Sequence, residues 1–528
     1  MSSNAPSIRF KEGDKEDEAF YKAYQEAYQK LAQFVRDRKR KPPRILVITD
    51  IEQDYDDLLA IIFLAEMHRM GAVELVGFVA NHHPAIERAK FLRTVLHLLG
   101  LPDMPVAEGT QGAADLEKHP WDFYYGLKNK TFREATWNET ESFRKGSDLI
   151  QELADAPGTP LTVLLISSLQ DIGEFFGTHS GTFLHDKFAK FVSQGGYEVK
   201  QPAPGTVSIT PDERMTNNTF NLDQAKNYTA GLASHQLPSD AWSREAAKAA
   251  RLPATFMEQL FALGPIGSHL QWLWLRQEFK FYWDPYNWQF LPHLDKGWYL
   301  NTRLGLDPKS TEYAELVKND KLPFTTAKPE IKVIAYDCCA AVGAVGDDFM
   351  RAFGVLAPAA KLPAYNLASH NHRVFGKAPG DLGGINPDRL AFVMKTFLLG
   401  GLAATAKAAS KTLGVSEIEH EAVQSKYDLD TFLGRMMPLM KEIEAGQKKA
   451  KGLRDQAAKV AKEEGKGGRY RELMKQVWAE EGKVKVKENA LREVPGVRKE
   501  EKLPTKAQVP YEQLYQRAMQ ALGGKAKV

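Results

Sequence analysis

Ile45-Leu46-Val47-Ile48-Thr49-Asp50-Ile51-Glu52-Gln53-Asp54-Tyr55-Asp56-Asp57 joins a short apolar run directly to a cluster of acids. A run of four apolar residues is too short for a helix and marks a strand buried on both faces of a parallel sheet. Helical periodicity follows from Leu58 to Met70, and Val73–Ala80 reads as a second strand, which completes a β-α-β unit. Working outward, helices are expected at Pro84–Leu99 and from Leu169, and strands at Leu161–Ile166, Lys190–Ser193 and Ile331–Ala335. This alternation predicts an α/β fold with a mainly parallel central sheet and flanking helices. Ligands in such sheets bind at the carboxyl ends of the strands.

Four aspartates and a glutamate between Asp50 and Asp57 stand at such an end. Clustered carboxylates resist joint ionisation unless a cation neutralises them. Hard oxygen donors select Ca²⁺ or Mg²⁺, and an irregular, carboxylate-rich loop suits the larger and more flexible Ca²⁺ shell. Capping of the helix near Asp57 explains one or two of the acids, not the set.

From Thr49 to Asp57 the sequence resembles the inosine-uridine preferring nucleoside hydrolase family, whose first strand runs into a Thr-Asp…Asp-Asp signature. The resemblance continues in order through Gly77–Asn81, Met104-Pro105-Val106…Gly109, Ser167-Ser168-Leu169-Gln170-Asp171, Gly195-Gly196 and Tyr336-Asp337. It implies a Ca²⁺-dependent hydrolase that splits the N-glycosidic bond of a ribonucleoside or related N-riboside. The ligands it implies for Ca²⁺ are Asp50, Asp57, the backbone carbonyl of Gln170, and Asp337. Asp56, Asn81 and one asparagine of Asn217-Asn218, preferably Asn218, would hold ribose hydroxyls. Asp50 would act as general base on the water. Tyr336 stands where many members carry a histidine as leaving-group acid. Glu52 and Asp54 replace loop residues that are small or neutral in the family, and the acid that precedes the family's ribose-binding asparagine is not recognisable near Thr216. A second reading is a catalytically impaired relative kept as a binding or scaffold protein.

The 528 residues exceed what one core usually serves. We expect a helical N-terminal extension over 1–43, the α/β domain over 44–409 and a basic, mostly helical extension over 410–528. Aromatic residues crowd about 252–322, including Trp272, Trp274, Trp283, Trp288 and Trp298, and suggest a helical cap or a substrate-stacking lid. Residues 441–528 hold about twenty Lys and Arg interleaved with Glu, which fits a solvated helical extension better than an RNA contact. A net charge of +3 gives no reason to invoke nucleic acid, and the apolar runs noted are too short to cross a membrane. The adjacent Cys338-Cys339 pair suits packing in a reducing compartment, so a cytoplasmic protein is expected. The partner implied is a small-molecule nucleoside or riboside, with a homo-oligomer left open. His82-His83 suits a loop role, and His370 and His372 lie in a loop that could line the site.

Overall fold

The computed structural model describes residues 5–8, 15–52, 54–114, 142–200, 207–267, 269–270, 273–274, 296–318, 332–366, 371–413, 445–446, 449–450, 452–463 and 468–492. The chain forms two compact units. The first comprises Met1–Tyr282, Leu294–Asp320 and Ala327–His420, and the second Trp283–His293, Lys321–Thr326 and Glu421–Val528.

The first unit is built on a seven-stranded sheet. Its strands are β1 (Arg44–Thr49), β2 (Glu74–Ala80), β3 (Val106–Glu108), β4 (Leu161–Ile166), β5 (Phe188–Gln194), β8 (Ser239–Trp242) and β11 (His372–Phe375), in the order β11-β8-β5-β4-β1-β2-β3. Every neighbouring pair is parallel. Two ribbons lie outside it, β6 (Tyr197–Lys200) with β7 (Ser208–Pro211) and β9 (Leu252–Pro253) with β10 (Lys332–Val333), both antiparallel. The expected parallel α/β architecture is therefore present. All six residues of β1 and of β4 are buried, as strands covered on both faces must be.

The Asp56–Arg69 helix is buried through its first twelve residues. The Tyr336–Val345 and Pro387–Leu413 helices both pack on it. Gly343 lets the Tyr336–Val345 helix lie close on β8, because a Cβ there would overlap the Trp242 indole.

Several expectations are corrected. The strand expected at Ile331–Ala335 does not enter the central sheet: only Lys332 and Val333 are extended, and they pair antiparallel with Leu252-Pro253. His372 is the first residue of edge strand β11, bonded to Ser239 at 2.9 Å, with three strands between it and β1, whose end carries the acidic loop. His370 lies outside the described residues, as do Trp272, Trp283 and Trp288. The boundary expected at 409/410 falls inside the continuous Pro387–Leu413 helix. That helix is long and apolar enough over Pro387–Ala409 to cross a membrane, a length absent from the apolar runs considered above, but Leu390, Val393, Met394, Phe397, Leu398 and Leu402 are buried. The Lys15–Asp37 helix, expected as an extension, packs into the same unit: the Tyr28 ring meets Phe397 at 5.2 Å and its hydroxyl donates to Glu66.

In the second unit the described residues include the Gly468–Arg492 helix, where Glu480 accepts from Lys449 at 3.0 Å and from Lys483 at 2.7 Å. Glu480, one of the acids interleaved with these cations, is thus engaged locally.

Candidate metal centre

The loop between β1 and the Asp56–Arg69 helix is held mainly through its backbone, which leaves its carboxylates to converge. Thr49 Oγ1 accepts from the Ile51 amide at 3.2 Å and donates to the Asp57 carboxylate. The Asn81 amide donates to the Thr49 carbonyl at 3.0 Å, continuing the β1–β2 pairing to the end of the strands. Arg88, fully buried, donates from Nη1 to the carbonyls of Asp50 and Ile51, the latter at 2.7 Å. Its Nε reaches the His82 carbonyl at 3.1 Å and its Nη2 the His83 carbonyl at 3.3 Å. One guanidinium therefore ties the loop after β1 to the loop after β2.

The carboxylate oxygens of Asp54, Asp56 and Asp57 all lie within 4.8 Å of one another. Asp50, Asp56, Asp57 and Asp337 are buried, and Asp54 is half-buried. Like charges this close repel by roughly 3 kcal/mol per pair even at an effective dielectric near 20. Burial, then the neighbouring carboxylates, push Asp56 and Asp57 well above the usual carboxylate range, and the Thr49 hydroxyl and Arg88 partly offset this for Asp57. Asp337, at the start of its helix, is pushed up first by burial and then by Asp56, Asp57, Asp54 and Asp50. Carboxylates from two distant parts of the chain thus act on one another electrostatically, with Asp54, Asp56 and Asp57 forming the close trio. A hard divalent cation fits this donor set, since it supplies the positive charge that buried acids otherwise lack.

The other expected residues surround this floor. Tyr336 is half-buried, and its hydroxyl is pushed up to about 12 by burial, with Arg303 opposing and Asp56 adding to the shift. Gln170 opens the helix that follows β4, the strand next to β1; its side chain donates to Glu174 at 2.7 Å and accepts from Asn221 at 3.1 Å. Asn81 stands at the end of β2, but its Nδ2 donates to the Ser168 carbonyl at 3.0 Å and to Asp171 at 2.7 Å, and its Oδ1 accepts from Ser167. Asn218 donates to the carbonyls of Gly196 and Asp212, both at 2.9 Å. Both amides therefore brace loops at the carboxyl edge of the sheet.

His82 stacks on Phe220 at 4.0 Å and His83 bonds Gln111 at 3.0 Å, consistent with a loop role. Cys338 and Cys339 are buried free thiols, with Cys339 packed on Met394.

The seven-stranded parallel architecture has solved counterparts. It superposes on the type III effector protein XopQ, solved in complex with adenosine diphosphate ribose, with a TM-score of 0.57 and 19% identity over 72% of this chain and 99% of that one. This chain has the fold of XopQ. The effector protein XOO4466 matches with a TM-score of 0.53 and 18% identity, again over 72% and 99%. A purine-preferring ribonucleoside hydrolase from Gardnerella vaginalis aligns with a TM-score of 0.40 and 14% identity over 68% and 99%. No protein-family model and no curated protein matches the sequence.

Three residues of the site escape a reading of the sequence by strand ends. Arg88 lies in the first turn of the Ala85–Leu98 helix, where an arginine ordinarily faces water. Asp54 reads as a departure from the family loop, yet it belongs to the carboxylate trio. Glu52 is fully buried at a φ of 82° and takes a 2.9 Å hydrogen bond from His269 Nε2, whose side chain is equally buried. The distant partner of Glu52 could not be foreseen, because nothing local in the sequence links positions 52 and 269.

Proposed function

We propose that the chain holds Ca²⁺ on its acidic loop and hydrolyses the N-glycosidic bond of a ribonucleoside or related N-riboside to free base and ribose. One observation carries this reading: the carboxylates of Asp54, Asp56 and Asp57 converge within 4.8 Å of one another at the end of β1, and the buried Asp337, from far along the chain, feels the charge of Asp56, Asp57, Asp54 and Asp50. Asp50, Asp57, Asp337 and the Gln170 carbonyl would hold the ion, joined by Asp54, whose carboxylate lies within 4.8 Å of that of Asp57. Bound Ca²⁺ supplies Lewis acidity that makes a water more acidic and grips ribose hydroxyls.

Asp50 takes a proton from the water whose oxygen attacks C1′. The C–N bond breaks and its electron pair leaves with the base. Asp56 orients the ribose, and the surrounding carboxylates stabilise the positive charge that builds on the sugar. With its hydroxyl held at about 12, Tyr336 offers the departing base a hydrogen bond rather than a full proton at neutral pH.

A panel of purine and pyrimidine nucleosides, assayed for free base with Ca²⁺ and with chelator, tests this. Ca²⁺-dependent release is expected, with Asp50→Asn reducing it by roughly 10²–10⁴-fold. Release that ignores the chelator contradicts it.

A second reading, binding without turnover, is favoured by Asn81 and Asn218. Their amides are spent on the protein itself, so they reach ribose only by giving up those bonds. Ribosyl compounds such as the adenosine diphosphate ribose held by XopQ are then ligands, and binding with no base released supports it.

A further inference from the structure

We propose that Arg303 is a positioning residue of the metal centre: it ties the segment that carries Asp337 to the acidic loop and so preorganises carboxylates from two parts of the chain for one ion. The inference rests on the cation reading above and adds to it a residue outside the ligand set.

Two hydrogen bonds of one buried residue make the tie. From its side chain, Arg303 Nη1 donates to the Tyr55 hydroxyl at 2.9 Å, and both residues are buried. From its backbone, the Arg303 carbonyl accepts from the Lys332 amide at 2.8 Å. Tyr55 stands between Asp54 and Asp56, two of the close carboxylate trio, and its own carbonyl takes the Leu59 amide at 3.0 Å where the Asp56–Arg69 helix begins. Lys332 opens β10, which the pairing with β9 holds in place. Only Ile334 and Ala335, both buried, separate that strand from the helix that carries Asp337, so the connection has little slack. Tyr336, next to Asp337, feels the charge of the Arg303 guanidinium. The same stretch of chain meets the loop a second time, where His269 Nε2 lies 2.9 Å from Glu52.

The carboxylates repel one another, and without an ion the loop and the Asp337 segment gain by moving apart. A brace between them withholds that relaxation, so the cost of gathering the ligands falls on folding rather than on ion binding. A charge-assisted bond between buried groups suits this part, being stronger than a bond between neutral ones. Arg303 acts on the ion in two opposite senses, which makes the proposal decidable. As a positive charge near the site it repels a cation and weakens binding. As a brace it strengthens binding, and we assign it the second part.

The test is calorimetric titration of Ca²⁺ into the full chain, for the wild type, Tyr55→Phe, Arg303→Met, Arg303→Lys and the double variant Tyr55→Phe/Arg303→Met. Tyr55→Phe deletes one hydroxyl and keeps the buried charge, and we expect Ca²⁺ affinity to fall roughly tenfold. Arg303→Met should also lower it, Arg303→Lys should lower it less, and in the double variant the second substitution should add nothing to the first. Affinity that is unchanged in Tyr55→Phe and raised in Arg303→Met overturns the proposal, because Arg303 is then a counter-charge that competes with the ion. Losses that multiply in the double variant overturn it too, since the two residues then act independently. Should Arg303→Met fail to fold, Tyr55→Phe and Arg303→Lys decide, and affinity equal to wild type in both overturns the brace. If the wild type itself takes up no Ca²⁺, the cation reading fails and the proposal with it; if the wild type binds and Tyr55→Phe binds equally, the proposal fails and that reading stands.

Discussion

Arg88 Nη1 lies 2.7 Å from the Ile51 carbonyl, so a fully buried guanidinium on one helix sets the backbone of the acidic loop on a neighbouring strand end. Its positive charge is also one of the few that offset the carboxylates, as its effect on Asp57 shows. Arg88→Lys cannot reproduce the fork that reaches four carbonyls at once. We expect it to cost about 3 kcal/mol of unfolding free energy, from buried carbonyls left unpaired, and to weaken Ca²⁺ binding at least tenfold. Chemical denaturation and Ca²⁺ titration measure the two effects. Unchanged Ca²⁺ affinity would show that Arg88 is a packing residue alone.

Glu52 and His269 provide a second hold on the same loop. Glu52→Ala leaves a buried imidazole without its acceptor and should cost roughly 1–3 kcal/mol. Glu52→Gln keeps an acceptor within reach of His269 Nε2 and should cost less. Thermal melts with excess chelator separate this from any effect on the metal; equal losses in the two variants would rule out the hydrogen bond as the cause.

The raised carboxylates give the chelated protein a definite pH dependence. Asp56, Asp57 and Asp337 have folded values above their unfolded ones, so the stability they contribute is complete below about pH 4 and is lost as pH rises through the folded values. A bound divalent cation reverses that loss. The rise in melting temperature on adding Ca²⁺ should therefore be larger at pH 8 than at pH 5. In chelator at pH 8, Asp57→Asn should melt above the wild type, because it removes one repelling charge. A gain from Ca²⁺ that does not change between pH 5 and pH 8 contradicts this linkage.

His372 carries the opposite sign and can be separated from the carboxylates. Burial holds it down to about 4, so its contribution is present above its unfolded value near 6.5 and is lost as pH falls towards 4. His372→Gln should remove the part of the acid destabilisation that lies between these limits. Denaturant titrations at pH 7 and pH 5 read the difference. An identical pH dependence in the variant would place the lost protons elsewhere.

How much of this was legible in the sequence follows from the range of the interactions. Ile45–Ile48 and Leu161–Ile166 declare buried parallel strands because both faces must be apolar, and the acids at Asp50–Asp57 declare a place where like charges gather, which is the ground for the cation proposed there. Strands β8 and β11 were missed since Ser239–Trp242 and His372–Phe375 mix polar with apolar residues: Asp240 is buried, but paired with Arg373 at 2.7 Å across the strands. Such pairing satisfies in space what looks like a surface pattern in sequence. For the same reason Asn81 could be placed at a strand end and Asn218 singled out, but neither could be seen to be bonded to Asp171 and to Gly196 respectively.

The most direct test is calorimetric titration of Ca²⁺ into the wild type and into Asp337→Asn. One ion per chain is expected for the wild type, with affinity reduced at least a hundredfold in the variant, because a charged ligand is removed from the set. Equal binding by the two proteins, or no binding by the wild type, would mean that the carboxylates near positions 50 and 337 do not share an ion.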